Sequence, residues 1–316
     1  MTELILINFF IKNKKHFIRL AIALLFLIIF LKWAKIEDYS FIYKAFYSIE
    51  FWIGCLFLIL VQVVKALRFQ MLVSEYNVQV NFTKNLIIHF IVPILGLLTP
   101  SKLGEGMKLV LIKDQKEKVG FCFLLEKLMD MLILFLLGAI GLYFYAIFIS
   151  SIYFVIPIVI VGIICLIYFD KIFNFLFQKL SPNKLEKNWF QKNLKNFLKP
   201  KHFLTMILGV FVWLLNIYAA YYFAFVAGGG FANLTFIEFA PLFASAIIVG
   251  LISGFPGGIG SREATITFLF FQVFQIDVET GGVFSILNLF GNYLTFAVIG
   301  LISYLVFKST YKHEIA

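Results

Sequence analysis

The sequence predicts an all-α polytopic membrane protein, with six full transmembrane helices and two interrupted or re-entrant helical segments that form an inverted-topology repeat. Composition predicts the class, because 62% of the residues are hydrophobic, 14% are charged and the mean hydropathy is +0.96. These values are far more apolar than those of a soluble globular protein. Several apolar runs are long enough to cross the hydrocarbon core of a bilayer, which takes about 20 residues of helix. Two similar helix-breaking motifs inside apolar regions predict the interrupted segments.

Six continuous apolar runs predict the full transmembrane helices. They cover residues 17–34, 46–67, 128–148, 151–169, 203–227 and 283–307. The first run follows a basic N-terminus, as the apolar region of a signal peptide does. It ends in Lys32 and Lys35 and lacks a small-residue cleavage site, so it is predicted to be an uncleaved helix.

Two further apolar regions, residues 86–100 and 236–275, are interrupted by motifs that resemble each other. The first motif covers residues 100–108 (PSKLGEGMK) and the second covers residues 256–263 (PGGIGSRE). Each has a proline, two small or polar residues, an aliphatic residue and a glycine, with charges close behind. Hydrocarbon cannot hydrogen-bond a broken backbone, so such breaks and charges are tolerated only against protein or a wet cavity. The two motifs therefore predict a polar site inside the membrane.

Clusters of Lys and Arg predict the orientation, because short basic loops tend to remain in the cytoplasm. The basic segments are the N-terminus, Lys65 with Arg68, residues 102–118, residues 171–201, and Lys308 with Lys312. Both termini and a basic loop at 170–202 are therefore predicted to be cytoplasmic. The net charge of +10 lies mostly in these segments, where it serves as a topology signal or also attracts anionic lipid headgroups. It does not indicate a nucleic acid partner.

This orientation determines how the interrupted segments enter the membrane. Residues 86–100 have basic segments on both sides, so they are predicted to enter from the cytoplasm and return. Residues 236–275 are predicted to enter and leave from the outer side, either as a hairpin or as two short crossings.

The two halves of the single membrane domain, approximately residues 1–150 and 151–316, match with opposite orientation. The motif prolines, and the helices before and after them, recur at a spacing of about 155 residues. Inverted repeats whose broken helices meet near the midplane are typical of many secondary transporters. The alternative is a chance agreement of segment lengths, since sequence similarity between the halves is confined to the motifs.

A charged group near the start of the run at 128–148 is the strongest candidate outside the motifs. Glu126 and Asp130 share one helical face because they are four residues apart. Charges kept at membrane depth need partners, and Lys127, Lys108 and Arg68 are the candidates. The structural alternative is an ordinary helix end whose long side chains reach the membrane surface.

The second motif has the features of an anion site. Its glycines allow the backbone to turn and to approach a ligand closely, although a tight membrane turn would use them too. Ser261, Arg262 and Glu263 are predicted to open a helix, where free N–H groups and an Arg could hold a phosphate. Asn288 and Asn292 form a polar stripe on the last helix, which either faces the site or bridges two helices.

The second motif resembles the signature of the lysylphosphatidylglycerol synthase transmembrane region, or flippase-like, family. The upstream pieces are similar in type and order: an Arg after the second helix, a Pro-x-x-x-Gly loop with a basic residue four positions later, and an acidic-basic-x-x-Asp group. In this chain they are Arg68, then Pro100, Gly104 and Lys108, then Glu126, Lys127 and Asp130. The family usually has Arg at the positions of Lys108 and Lys127, which matters because Arg binds phosphate through a two-pronged fork. The resemblance is to the membrane domain only, and no soluble acyltransferase domain is expected in this chain.

The resemblance and the residues together predict translocation of a phosphate-containing lipid, such as an aminoacylated phospholipid or a polyprenyl-phosphate-linked lipid, across a bacterial cytoplasmic membrane. The predicted substrate-binding residues are Arg68, Pro100, Gly104, Glu105, Lys108, Glu126, Lys127, Asp130, Pro256, Gly257, Gly258, Gly260, Arg262, Glu263, Asn288 and Asn292. No cofactor or metal is predicted, and the partner is a membrane phospholipid or lipid carrier.

The alternative is a membrane enzyme or accessory subunit that transfers a group to or from a lipid carrier. Glu126, Asp130 or Glu263 would then be the general base, but the scattered carboxylates favour a transporter over an enzyme. The sequence leaves open a homo-oligomer and a synthase or glycosyltransferase partner.

Overall fold

The computed structural model of the chain describes residues 25–97, 99, 103–112, 115–145, 202–253, 255 and 257–311. These residues form helices joined by short connections, with no strand among them, so the predicted all-α class is confirmed. Several predicted features lie outside the described residues: the start of the first helix, the helix at 151–169, nearly all of the basic loop at 170–202, Pro100 and Pro256.

The described helices of the first half are α1 (described over 25–33), α2 (Ser40–Ala45), α3 (Ile49–Glu75), α4 (Phe82–Leu97), α5 (Lys108–Leu111) and α6 (Lys116–Tyr145). A short 3₁₀ helix, Leu103–Met107, precedes α5. The described helices of the second half are α7 (Phe203–Ala227), α8 (Phe236–Ile252), α9 (Ser261–Phe274) and α10 (Val278–Thr310). A second 3₁₀ helix, Gly229–Asn233, follows α7.

Three of the described helices, α3, α7 and α10, are long and apolar enough to cross a membrane. They expose large apolar side chains, among them Leu56, Phe211 and Leu301, as a surface in contact with lipid does. Helices α4 and α8 are also apolar, but they have only 16 and 17 residues. At 1.5 Å per residue they are about 24–26 Å long, which is less than the hydrocarbon core of about 30 Å.

The helices pack in a reciprocal pattern across the two halves. The first long helices, α3 and α7, pack along each other, and this is the most extensive contact among the described helices. Helix α4 packs along α10, and α8 packs along α6. Each short apolar helix therefore lies against the last helix of the opposite half.

The helix ends differ from those that the apolar runs predict. Helix α3 continues to Glu75, so Arg68 lies inside this helix and not after it. Helix α6 begins at Lys116, so Glu126 and Asp130 lie well within the helix and do not begin it. An apolar run ends at the first charge, whereas a helical backbone continues through a charge that has a buried partner.

Phe223 of α7 makes a close contact with two other long helices in the core. Its ring is fully buried and lies between Gly54 of α3 and Gly291 of α10. A Cβ atom would approach this ring to 2.6 Å at Gly54 and to 2.5 Å at Gly291. Small residues let helices approach closely in membranes, so this contact sets the distance between three long helices.

We expect Phe223→Leu to lower the free energy of unfolding by about 1–1.5 kcal/mol, because a branched side chain replaces a flat ring between two glycines. Thermal unfolding in detergent should shift down by a few degrees. Phe211→Leu on the same helix is the matched control, since that side chain is 49% exposed. Equal shifts for both variants would show that Phe223 does not set the helix spacing.

Candidate functional site

Arg68 is the centre of a buried ion network. Its side chain is fully buried in α3, and it faces two carboxylates of α6. Nη2 is 3.1 Å from Oε1 of Glu126, and Nη1 is 2.8 Å from Oδ1 of Asp130. The four-residue spacing of Glu126 and Asp130 therefore serves to bind one guanidinium, as their shared helical face predicts.

Lys108 and Trp213 extend this network to two more helices. Lys108 Nζ lies 2.8 Å from Oε2 of Glu126, and it lies over the Phe69 ring at 4.8 Å from the centroid. Trp213 of α7 donates its Nε1–H to Oδ1 of Asp130 at 3.2 Å. Four helices, α3, α5, α6 and α7, are thus joined by charges that lie out of contact with solvent or lipid.

A second ion pair joins the first motif to α6. Lys127 Nζ donates to Oε2 of Glu105, and the Glu105 side chain is 6% exposed. Together with the Lys108–Glu126 pair, it fastens both ends of the segment from Glu105 to Lys108 to the same helix. Of the three predicted partners of the α6 carboxylates, Arg68 and Lys108 are at bonding distance, whereas Lys127 pairs with Glu105 instead.

Gly104 lets the first motif fold back on the end of α4. A Cβ atom at this position would lie 2.1 Å from the backbone oxygen of Leu95 and 2.8 Å from Oγ1 of Thr99. The Gly104 N–H donates to that same threonine oxygen, which in turn donates to the Leu95 carbonyl. Only a residue without a side chain allows this approach of the two backbones.

The second motif bonds through its backbone to Thr99, the residue directly before the first motif, and we call this bond the motif contact. Gly257 N–H donates to the Thr99 carbonyl at 3.3 Å, and Tyr293 of α10 donates its hydroxyl to the Leu97 carbonyl at 3.2 Å. These bonds satisfy carbonyl groups at the broken end of α4, which hydrocarbon could not do. The motifs that the sequence singled out are thus neighbours in space.

Glu263 closes the start of α9, the helix that the second motif opens. Its Oε2 accepts the Gly260 N–H at 2.7 Å, and its Oε1 accepts two bonds from Arg262 at 2.9 and 2.6 Å. The preceding turn depends on Gly258, whose φ of 74° brings its backbone against Gly250. A carboxylate of the chain itself therefore occupies the helix start.

A small cavity lies where the two motifs meet helices α3, α7, α8 and α10. The cavity volume is about 40 Å³, which is room for about three water molecules. Its charged lining residues are Lys65, Glu105 and Arg262. Its amide side chains are Gln62, Asn216, Asn288 and Asn292. Residues from both halves of the chain therefore build one polar cavity.

The cavity collects part of the predicted site. Its lining includes the predicted residues Glu105, Gly257, Arg262, Asn288 and Asn292. The other described residues of the prediction do not line it. They are Arg68, Gly104, Lys108, Glu126, Lys127, Asp130, Gly258, Gly260 and Glu263. They form the ion network and the turns that hold the cavity walls.

Four polar lining residues were not predicted as site residues: Gln62, Lys65, Trp213 and Asn216. The sequence does contain a signal for them, because Gln62 and Lys65 lie three apart on one apolar helix, as do Trp213 and Asn216 on another. Lys65 was assigned to a cytoplasmic basic segment, whereas it is 9% exposed and lies within α3. A Lys that contributes to a buried site carries little information about loop orientation.

Within the part of the chain that the structure describes, no group of three or more His, Cys, Asp and Glu side chains is placed to hold a metal ion. A family model described as Lysylphosphatidylglycerol synthase TM region matches residues 17–300. No curated protein and no solved structure matches the chain.

Proposed function

Because this chain belongs to the lysylphosphatidylglycerol synthase TM region family, we propose that it translocates a phosphate-containing lipid across the membrane. It is a multi-pass membrane protein, as its family and its long apolar helices indicate. Examples of such a lipid are an aminoacylated phospholipid and a polyprenyl-phosphate-linked lipid. The membrane would be the bacterial cytoplasmic membrane, with both termini inside.

The observation that carries this proposal is the polar cavity between the two broken segments of an otherwise apolar protein. It combines cationic side chains, which attract phosphate, with four amide side chains. Polar and charged residues inside membrane helices are costly and mark substrate pathways. The place where two broken helices meet is where many transporters bind their substrate.

The proposal includes an inverted repeat of two halves, each with three crossing helices and one broken segment. The reciprocal packing supports it, because exchanging the two halves exchanges the α4–α10 contact with the α6–α8 contact. The same exchange leaves the α3–α7 contact in place, because these two helices are equivalent to each other. This pattern of contacts favours a repeat over a chance agreement of segment lengths.

The lengths of α4 and α8 support a re-entrant path for the broken segments. Each helix is too short to cross the hydrocarbon core alone, and each ends at a motif whose backbone is bonded to protein. Helix α9 then carries the chain away from the second motif. A path that enters and leaves on one side suits this arrangement.

The cavity has the size expected of a closed state. With room for about three waters, it has space for a phosphate group but not for a complete lipid headgroup. Translocation would therefore require the two halves to separate at the motif contact, as in alternating access. The Glu105–Lys127 and Arg262–Glu263 pairs are the charges next to the cavity that such a movement would disturb.

The test is lipid exchange in liposomes that contain the purified protein and tail-labelled fluorescent phosphatidylglycerol, its lysyl ester or a polyprenyl phosphate. Dithionite reduces only the outer-leaflet probe, so accelerated loss of protected fluorescence measures translocation. We expect acceleration by the wild-type protein and its loss in Glu263→Gln, which removes the counter-ion of Arg262. Exchange should fall at least tenfold, since this change breaks a buried ion pair.

Glu238→Gln is a matched control for this variant. Glu238 is the third residue of α8 and accepts the Thr235 N–H at 2.8 Å, just as Glu263 caps α9. It lies outside the cavity lining, so Glu238→Gln should retain exchange. If folded wild-type protein accelerates the exchange of none of the three lipids, the translocator proposal is wrong, and an enzyme subunit becomes the better hypothesis.

A further inference from the structure

Lys65 is the unexplained charge of the cavity. Its side chain is 9% exposed and lines the cavity, yet no carboxylate of the described residues pairs with it. The other two charged lining residues have partners, because Glu105 pairs with Lys127 and Arg262 pairs with Glu263. One positive charge in the cavity is therefore left without a counter-ion among the described residues.

Two amides beside Lys65 are also without a described partner. Gln62, one helical turn before Lys65, is 3% exposed and makes no hydrogen bond with any described residue. Asn288 accepts two bonds from the Asn292 amide, at its backbone oxygen and at Oδ1, which leaves its own Nδ2 without a described acceptor. All three side chains are at least nine-tenths buried and line the same cavity, so together they point to a polar ligand there.

The chemistry of these three groups selects the ligand. An ammonium and two amide N–H donors match the oxygens of a phosphate, whereas a cationic ligand would be repelled by Lys65. The ligand must also supply the negative charge that a buried Lys needs. A headgroup whose own cation neutralises its phosphate does not supply this negative charge to Lys65.

We infer that Lys65, Gln62 and Asn288 form the binding site for the phosphate of a lipid whose headgroup carries a net negative charge. Phosphatidylglycerol and polyprenyl phosphates meet this description, and the cationic lysyl ester of phosphatidylglycerol does not. This inference rests on the proposed function for its lipid. It deepens that function by naming the charge of the headgroup and a counter-ion that lies outside both motifs.

The first test is the thermal stability of the detergent-purified protein without any ligand. Lys65→Met removes a buried charge that lacks a counter-ion, so its unfolding temperature should be higher than that of the wild-type protein. Lys308→Met, at an exposed site near the end of α10, should leave it unchanged. A lower unfolding temperature for Lys65→Met would show that Lys65 is bonded within the protein, which would overturn the inference.

The second test is binding of short-chain lipids, followed through the rise in unfolding temperature. Dihexanoyl phosphatidylglycerol should stabilise the wild-type protein, and its dihexanoyl lysyl ester should do so at least tenfold less potently. Lys65→Gln should raise the apparent Kd for dihexanoyl phosphatidylglycerol about tenfold or more, as expected for loss of one charge-assisted hydrogen bond. Lys308→Gln should bind as the wild-type protein does.

The outcomes separate this inference from the proposed function. Equal potency of the two lipids, or equal binding by Lys65→Gln and the wild-type protein, overturns the inference. Stabilisation by glycerol phosphate at the same concentration would assign the site to a free phosphate and overturn the lipid as its source. Selective binding of phosphatidylglycerol without any lipid exchange in liposomes would support the site and reject translocation.

Discussion

Arg68→Leu is expected to reduce the stability of the protein by about 3–5 kcal/mol, which is enough to prevent most of the chain from accumulating in folded form. The variant leaves the carboxylates of Glu126 and Asp130 buried, and Asp130 then has no cation at bonding distance among the described residues. An uncompensated buried charge is much more costly than a missing ion pair. The measurement is the yield of monodisperse protein after size-exclusion chromatography, together with its unfolding temperature.

Two further variants test whether the loss of stability in Arg68→Leu comes from the buried carboxylate that it leaves without a cation. Lys308→Leu removes an exposed positive charge from α10 and should leave yield and unfolding temperature unchanged. Arg68→Leu combined with Asp130→Leu removes one carboxylate along with the guanidinium, while Glu126 keeps Lys108. The double variant should recover part of the lost stability. A wild-type yield of Arg68→Leu would mean that the network is not the element that holds α3 and α6 together.

The sequence was sufficient to predict the ion pairs but not their position in the helices. Glu126, Asp130, Lys108 and Arg68 were recognised as partners because charges in an apolar protein have few other ways to be stabilised. The helix ends were misplaced because hydropathy falls at the same charges that the fold neutralises. Whether a charge is paired depends on contacts between residues about 58–62 positions apart, which no local pattern contains.

Lys65 shows that a local sequence pattern was also insufficient to predict the lining of the candidate site. A Lys three residues before an Arg is typical of a cytoplasmic segment, and this local pattern is the same whether the Lys is solvated or buried. Its place in the cavity is decided by α7, α8 and α10, which complete the lining. The amide of Asn288 was predicted from sequence because a polar residue in a long apolar helix stands out by itself.

The motif contact is also a tertiary feature that the sequence predicted only in part. Two similar motifs at equivalent positions indicated one shared site, and the bond from Gly257 N–H to the Thr99 carbonyl joins the second motif to the residue directly before the first. The role of Gly104 was not visible, because a glycine in a loop indicates a turn as readily as a close contact. The structure shows a close contact, because a Cβ atom at Gly104 would lie 2.1 Å from the Leu95 backbone oxygen.

Gly104→Ala is expected to reduce lipid exchange more than tenfold and to lower the free energy of unfolding by about 3 kcal/mol, at the upper end of the usual cost of overpacking. Its Cβ atom would lie 2.1 Å from the Leu95 backbone oxygen, which cannot rotate away as a flexible side chain can. The first motif must then move off the end of α4, carrying Glu105 away from the cavity. The measurements are the liposome exchange rate and the unfolding temperature.

Gly106→Ala, two residues further along the same loop, tests whether this effect comes from the contact or from the loss of a glycine. A Cβ atom there would meet the Phe123 ring at 3.7 Å, which is ordinary van der Waals distance. Both substitutions reduce the freedom of the unfolded chain similarly, so that contribution cancels in the comparison. Gly106→Ala should therefore keep nearly normal exchange and stability. If the two variants behave alike, the close approach of the first motif to α4 does not control the cavity, and the motif contact has no part in closing it.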